Sequence, residues 1–479
     1  MSLRQVTLGS LAMSSVGILR LMTQLLVLPV LARYLTPEDY GIVAIAMPFV
    51  LFAMSFSDAG MSQSLIRTSS QDRTEWSTSF WFTVLLGLAL SGVITAFGFG
   101  LSVFMNEPLL FPILACLSSI IFLQSLATVP GASLQQNHKF PTIAGIEIAA
   151  MFISLMTTLW AALNGFGAWS LVFQQLSHYI VKLFLTLFFS RFAPVLSFKI
   201  HSIREHLIFG RDVLGSDLIS FIRDSLQRVI MGKVLGTSAV GIFSMSKLFS
   251  DVPRRIVAGP LQMVLYPRFS MMRDNNDDMQ HVLVFISRVI AMIVIPTVGM
   301  IGIAHDPVFT ILLSEKWAEA GYIFMLISPA AALAPVASLL NTVCLSKGKT
   351  DILVRLSVEV CILFLISLGI CVWYGLDAVA IGLMIAHIVY LFRMVMLILP
   401  IIDMPTKRYL SLYITPVFST SLSVIAYYAV DQNFDFNDWK LFGMAIGLGI
   451  MAVIFIFLIQ YKMLLKDFSV VRHKLLHNT

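Results

Sequence analysis

Eleven ionisable side chains fall between positions 211 and 255, in stretches otherwise apolar enough to lie in a lipid bilayer: Arg211, Asp212, Asp217, Arg223, Asp224, Arg228, Lys233, Lys247, Asp251, Arg254 and Arg255. A charge at mid-bilayer costs about 2.5–3.5 kcal/mol on insertion scales, so such residues face a cavity or a partner. On a helix, Asp217, Asp224 and Arg228 share one face, with Arg228 four residues after Asp224. Lys247, Asp251 and Arg255 repeat that step, with Arg254 beside them. Asp224–Arg228 and Asp251–Arg255 can serve as buried ion pairs that tie helices together. Seven bases against four acids leave a surplus of three positive charges, which pairing does not remove. By spacing, Arg223 and Arg254 have no partner. The chemistry expected of them is binding of an anion, since a planar guanidinium can hold a phosphate bidentately.

The substrate-binding candidates are therefore Arg223, Arg228, Lys247, Arg254 and Arg255, together with Arg20, which has Gln24 one turn on. Lys233, at a span end, is expected to snorkel to the interface. Asp58, Glu147, Asp217, Asp224 and Asp251 are the carboxylates that could couple transport to an ion. Arg355–Glu359 has i,i+4 spacing and reads as structural, and His387 as a hydrogen-bonded interior histidine. Lys182, Arg288 and Arg393 complete the intramembrane charges. Cys116, Cys344, Cys361 and Cys371 lie in or beside apolar segments without a C-x-x-C pair, which argues against a zinc site or a disulfide framework. A P-loop, H-E-x-x-H, G-x-S-x-G and D-x-D are all missing. The expectation is a protein that is not an enzyme, needs no cofactor or metal, and does not bind nucleic acid.

The elements that must position these residues are transmembrane helices. Of 479 residues, 58% are hydrophobic and 12% charged, against about 25% charged in soluble domains. The mean hydropathy is +0.88. Apolar stretches of about 20 residues, each long enough to cross the hydrocarbon, recur from end to end. The pattern predicts an all-α polytopic protein of about fourteen spans: 8–33, 40–66, 79–104, 109–133, 141–163, 168–190, 207–235, 239–267, 281–304, 320–344, 352–374, 378–400, 409–430 and 439–461. Spans seven and eight are the least hydrophobic. The first apolar segment reads as a span and not as a cleavable signal. Breakers mark the turns at Thr36-Pro37-Glu38-Asp39, Asn106-Glu107-Pro108, Asn164-Gly165-Phe166-Gly167 and Asp403-Met404-Pro405.

Lys and Arg concentrate in alternate loops, which places both termini in the cytoplasm and accounts for the pI of 9.1. Trp76, Trp81, Trp160, Trp169, Trp373 and Trp439 fall near span ends, as interfacial belts do, and Trp317 in an outer loop. The inter-span stretches are too short for a soluble catalytic domain.

An internal repeat aligns Arg33-Tyr-Leu35-Thr-Pro-Glu-Asp-Tyr-Gly41-Ile42 with Lys233-Val-Leu235-Gly-Thr-Ser-Ala-Val-Gly241-Ile242. Six spans separate the copies, so both have one orientation. This predicts two parallel six-helix lobes, as in alternating-access transporters. Their limits are 1–191 and 207–400, joined by a cytoplasmic linker at 192–206. Two further helices and a basic cytoplasmic tail occupy 401–479.

The run Leu28-Pro29-Val30-Leu31-Ala32-Arg33-Tyr34-Leu35-Thr36-Pro37-Glu38-Asp39-Tyr40-Gly41, then Ser57-Asp58-Ala59-Gly60-Met61, resembles polysaccharide-transporter (Wzx-type) flippases. So do Met231-Gly232-Lys233-Val234-Leu235-Gly236, Val240-Gly241-Ile242-Phe243-Ser244, Tyr266-Pro267-Arg268-Phe269-Ser270 and Lys347-Gly348-Lys349. The resemblance runs through the chain. It implies the MOP-superfamily fold, a two-lobed bundle around a central cavity, in the bacterial cytoplasmic (inner) membrane. It also implies export of undecaprenyl-diphosphate-linked repeat units for exopolysaccharide, capsule or O-antigen, with glycosyltransferases and a polymerase as partners. Many relatives carry an Asp where this chain has Gln227, so the role of that Asp does not transfer. Rival readings are a cation-coupled drug antiporter, expected to have an acidic cavity, and a lipid II flippase. A membrane polymerase or ligase would need a large outer loop.

Overall fold

The computed structural model describes residues 17, 19, 22, 23, 26–58, 60–68, 72–199, 204–434 and 436–476, except the side chains of 68, 204–217, 220, 468 and 470–476. The described residues are helical throughout apart from turns and the 191–199 segment. In chain order they form α1 (26–34), α2 (Pro37–Asp58), α3 (Met61–Thr68), α4 (Arg73–Met105), α5 (Leu110–Gln136), α6 (Phe140–Leu163) and α7 (Trp169–Ser190). Next come α8 (Arg204–Leu235), α9 (Thr237–Pro253), a π turn (Arg254–Ala258), α10 (Gly259–Met271), α11 (Asn276–Ile303) and α12 (His305–Leu313). The last are α13 (Ala318–Ser346), α14 (Thr350–Cys371), α15 (Leu376–Ile398), α16 (Thr406–Asn433) and α17 (Asp438–Leu476).

Among the described residues, eleven helical segments are long and apolar enough to cross a membrane. The protein is a helical polytopic membrane protein. Expected span one falls mostly outside the described residues. Span seven is α8, whose charges keep it below the apolarity of the others, and span eight is interrupted by the π turn after Pro253. The expected outer loop after span nine folds into α12 and a short 3-10 turn. Trp317 is fully buried there instead of lying in an exposed loop. Trp76 likewise packs inward, against Phe192, while Trp160, Trp373 and Trp439 are exposed as a belt requires.

The turns form for local reasons. Thr36 and Asp39 make a reciprocal box at the start of α2: Thr36 N donates to Asp39 Oδ2 at 3.0 Å, and Asp39 N to Thr36 Oγ1 at 3.2 Å. Asn106 and Asp403 end their helices in the left-handed region, which short polar side chains tolerate. Asp72 caps α4 by accepting from Thr74 N at 2.9 Å.

The chain packs as two compact units, Met1–Gly241 and Ile242–Thr479. In the first, α4 lies on α5, α6 on α7, and α5 and α8 on α2. The segment after α7 is strapped to α4. Val195 N donates to Ser77 Oγ at 3.0 Å, Trp81 Nε1 to Val195 O at 3.0 Å, and Lys199 N to Thr78 Oγ1 at 3.2 Å. In the second unit α11 is the hub, packed on α13, α16 and α17. Arg288 of α11 pairs with Asp467 of α17 at 3.3 Å.

The two repeat copies meet within the first unit. A methyl group at Gly41 would overlap the Thr237 carbonyl, and one at Gly241 would overlap the Pro37 carbonyl. Pro37 and Thr237 are equivalent in the repeat, so the contact is reciprocal. Only residues without a Cβ allow backbones this close.

Candidate functional site

The first cluster lies between α2 and α8, and a proline builds it. Pro48, inside α2, has no N–H to give the carbonyl four residues earlier. That carbonyl belongs to Ala44, and Arg228 of α8 supplies the missing donor: its Nη1 donates to Ala44 O at 2.9 Å. The guanidinium is thereby fixed by main chain. It lines a cavity of about 300 Å³ together with Pro48, Leu51, Phe52, Ser55, Phe221 and Asp224. Phe52 and Phe221 stack across the two helices at 4.0 Å between centroids and 14° between planes.

The pairing differs from the i,i+4 expectation. Asp224 pairs with its neighbour Arg223, whose Nε lies 3.0 Å from Oδ1, while Arg228 reaches across to α2. Arg223 is therefore not unpaired. Spacing missed this because an adjacent side chain can curl back, and because it cannot see a carbonyl freed on another helix. Gln227 is buried and its Nε2 approaches Met231 Sδ at 3.9 Å, a neutral contact at that position.

The second cluster lies within the second unit, at the end of α9 and on the π turn. Asp251 Oδ1 is 3.6 Å from Arg254 Nη2 and its Oδ2 is 4.0 Å from Arg255 Nη2. Arg254 also has a partner, contrary to expectation, because residues three apart on a helix lie side by side as well as residues four apart. The pairs are loose and the arginine side chains are half exposed. Pro260 just beyond has no N–H for the Ile256 carbonyl, which fits a local break in the hydrogen-bond ladder. Gln262 Nε2 anchors the following helix to Ser338 O on α13 at 2.9 Å. Lys247 lies one turn before Asp251 and is partly buried.

The other candidates are dispersed. Asp58 ends α2 and caps α3: its carboxylate accepts from Ser62 N at 3.2 Å and Ser62 Oγ at 3.0 Å. Glu147 of α6 pairs with Lys182 of α7 at 2.8 Å, and His178 Nε2 lies 3.8 Å from its other oxygen. Neither partner is on Glu147's own helix, so helical spacing could not identify them. Arg20 and the side chain of Asp217 lie outside the described residues. Sequence reasoning also missed Pro48, Phe52, Ser55 and Phe221. A proline inside an apolar span was the available signal.

A family model described as "Polysaccharide biosynthesis protein" matches residues 30–321, more than half of the chain. The chain belongs to this family. Among curated relatives, it is 25% identical to "Succinoglycan biosynthesis transport protein ExoT" of Rhizobium meliloti (strain 1021), over 61% of this chain and 59% of that protein. It is 22% identical to "Lipopolysaccharide biosynthesis protein WzxC" of Escherichia coli (strain K12), over 89% and 88% of the two lengths. Among solved structures, "Lipid II flippase MurJ, inward closed conformation" superposes with a TM-score of 0.75 at 17% identity, covering 96% of this chain and all of that one. An inward-facing MATE-family multidrug transporter of the MOP superfamily gives 0.64 at 16% identity, covering 81% and 98%. These likenesses establish the fold, a helical bundle of the kind seen in those two structures. Family and apolar helices together make the chain a multi-pass protein of the bacterial inner membrane.

Proposed function

We propose that this protein is a flippase carrying undecaprenyl-diphosphate-linked oligosaccharide repeat units outward across the cytoplasmic membrane, for exopolysaccharide, capsule or O-antigen assembly. The observation that carries this reading is Arg228, fixed on the Ala44 carbonyl at the edge of an aromatic-lined cavity. A flippase must take a diphosphate and sugars out of water while the polyprenyl tail stays in lipid. A guanidinium held in advance replaces water around the phosphate without a further ordering cost, and the Phe52–Phe221 faces offer apolar surface to a sugar ring. Arg223, Lys247, Arg254 and Arg255, with Arg20, are the other cationic residues proposed to meet the headgroup during transport. The names of the two relatives above, a succinoglycan transport protein and a lipopolysaccharide biosynthesis protein, are in keeping with this cargo.

Alternating access is the mechanism proposed, between moving lobes that follow the repeat at 1–191 and 207–400, with 401–479 appended. The inside-negative potential aids an anionic headgroup moving outward by about 2.3 kcal/mol per charge per 100 mV. Glu147, Asp58, Asp217, Asp224 and Asp251 are the proposed coupling carboxylates. Glu147 is the strongest of them, because it pairs with Lys182 and lies near His178 across the α6–α7 contact. Glycosyltransferases and a polymerase are the proposed partners. A drug antiporter for cations would need an acidic cavity, whereas the one carboxylate lining this cavity is held by Arg223.

The test is a deletion strain. Lipid-linked oligosaccharide should accumulate with its sugars facing the cytoplasm. The intact gene should reverse this, and Arg228→Ala should not. Normal outer-leaflet exposure in the deletion strain, with no second flippase present, would overturn the proposal.

A further inference from the structure

A third charged cluster lies apart from these sites, on α14 and α15. Glu359 accepts from two arginines at once: Arg355 Nε at 2.8 Å on Oε1 and Arg393 Nε at 3.1 Å on Oε2. Arg355 was expected as a simple i,i+4 partner, and Arg393 arrives from the neighbouring helix. Two guanidiniums on one carboxylate leave a net positive charge. Each is held side-on by Nε alone. Among the described residues, no protein acceptor meets the Nη groups of either. The side chain of Arg355 is 62% exposed and that of Arg393 41%.

The surroundings are apolar and outward-facing. Val358 and Ile362 of α14 are exposed beside the cluster, as are Val389, Phe392 and Met396 of α15. Such a surface in a membrane protein meets acyl chains. The cluster lies toward one end of the helix pair. Arg355 is five residues into α14, about 8 Å along its axis. Arg393 lies five residues before the end of α15. The turn that precedes α14 carries Lys347 and Lys349, and the one that follows α15 leads to Lys407 and Arg408. That basic end is the cytoplasmic one by the positive-inside rule.

We infer that Arg355 and Arg393, splayed by Glu359, form a phosphate clamp for an anionic glycerophospholipid of the cytoplasmic leaflet. The carboxylate orients the two guanidiniums so that their open edges face outward. A lipid phosphate between them neutralises the excess charge, while its acyl chains lie along the exposed valines and isoleucine. A merely structural tie between the helices would need only one arginine. The site is independent of the transport reading, since it faces lipid and shares no residue with the cavity between α2 and α8.

The test is native mass spectrometry of the purified full chain in detergent, titrated with phosphatidylglycerol and, separately, with phosphatidylethanolamine. The wild-type protein should retain phosphatidylglycerol at least about tenfold more tightly, as expected for two charge-assisted contacts. Arg355→Ala combined with Arg393→Ala should abolish the preference. Arg393→Lys, which keeps the charge but loses the fork, should lower it severalfold. Equal retention of both lipids by the wild-type protein would overturn the clamp, and this arm needs no variant to fold. Displacement of the lipid by millimolar inorganic phosphate would also overturn it, showing a site for soluble anions.

Discussion

The cationic clusters of the two units differ in how firmly the protein holds them. Arg228 is fixed by a main-chain carbonyl that Pro48 has left without its donor, and an aromatic stack packs beside it. Arg254 and Arg255 share one carboxylate at 3.6 and 4.0 Å, on a π turn, with half their surface open. The first arrangement presents a charge at one place. The second lets charges move by changing rotamer, at little cost in lost contacts. A transporter that must both bind and release its cargo has use for each: a fixed anchor defines the binding position, and mobile arginines can follow a headgroup between states.

The largest break in this comparison comes from unseating α2, on which the fixed side depends. Gly41→Ala drives a methyl group into the Thr237 carbonyl, and backbone cannot yield as a side chain would. The expected loss is about 3 kcal/mol or more of stability, read as a large fall in folded yield and in Tm in detergent. Near-normal yield and Tm would show that the start of α2 can shift freely. Next in size is Arg228→Ala, which leaves the Ala44 carbonyl unpaired and should cost about 1–3 kcal/mol and most of the export activity. Pro48→Ala restores the helix's own donor to that carbonyl. Adding it to Arg228→Ala should recover the stability but not the export. A double-mutant cycle without positive coupling would mean that Pro48 does not create the site.

Much of this architecture was legible in the sequence, because apolar length and basic loops act locally. The limits of α5, α6 and α7 lie within three residues of the expected spans, and Asn106 and Asp403 end helices where breakers were expected. The repeat was legible as well, since both glycines meet the same steric need. The clusters were only half legible. Spacing paired Asp251 with Arg255 but left Arg254 without a partner, and it assigned Asp224 to Arg228 when Arg223 holds it. It listed Asp58 as a coupling carboxylate but gave no sign that the same side chain caps α3. Lys182 and Arg393 stood in the sequence as isolated charges, because their partners lie across a helix–helix contact. Helical periodicity reports one face of one element and carries no information about the neighbouring helix.

The smallest structural effect should come from the pliable side. Arg254→Ala with Arg255→Ala removes two exposed, loosely paired side chains. The change in stability should therefore stay within about 0.5 kcal/mol each, and Tm in detergent should barely move. Asp251 is 25% exposed and is not sealed off by the change. Export, measured as outer-leaflet exposure of the lipid-linked oligosaccharide at matched protein level, should still fall severalfold. That split, normal folding with impaired export, separates a working pair of cations from a structural ion pair. If Tm fell as far as with Arg228→Ala, the π-turn arginines would be structural and the contrast between a fixed and a mobile cluster would be lost. If both Tm and export were unchanged, transport would rest on the fixed arginine alone.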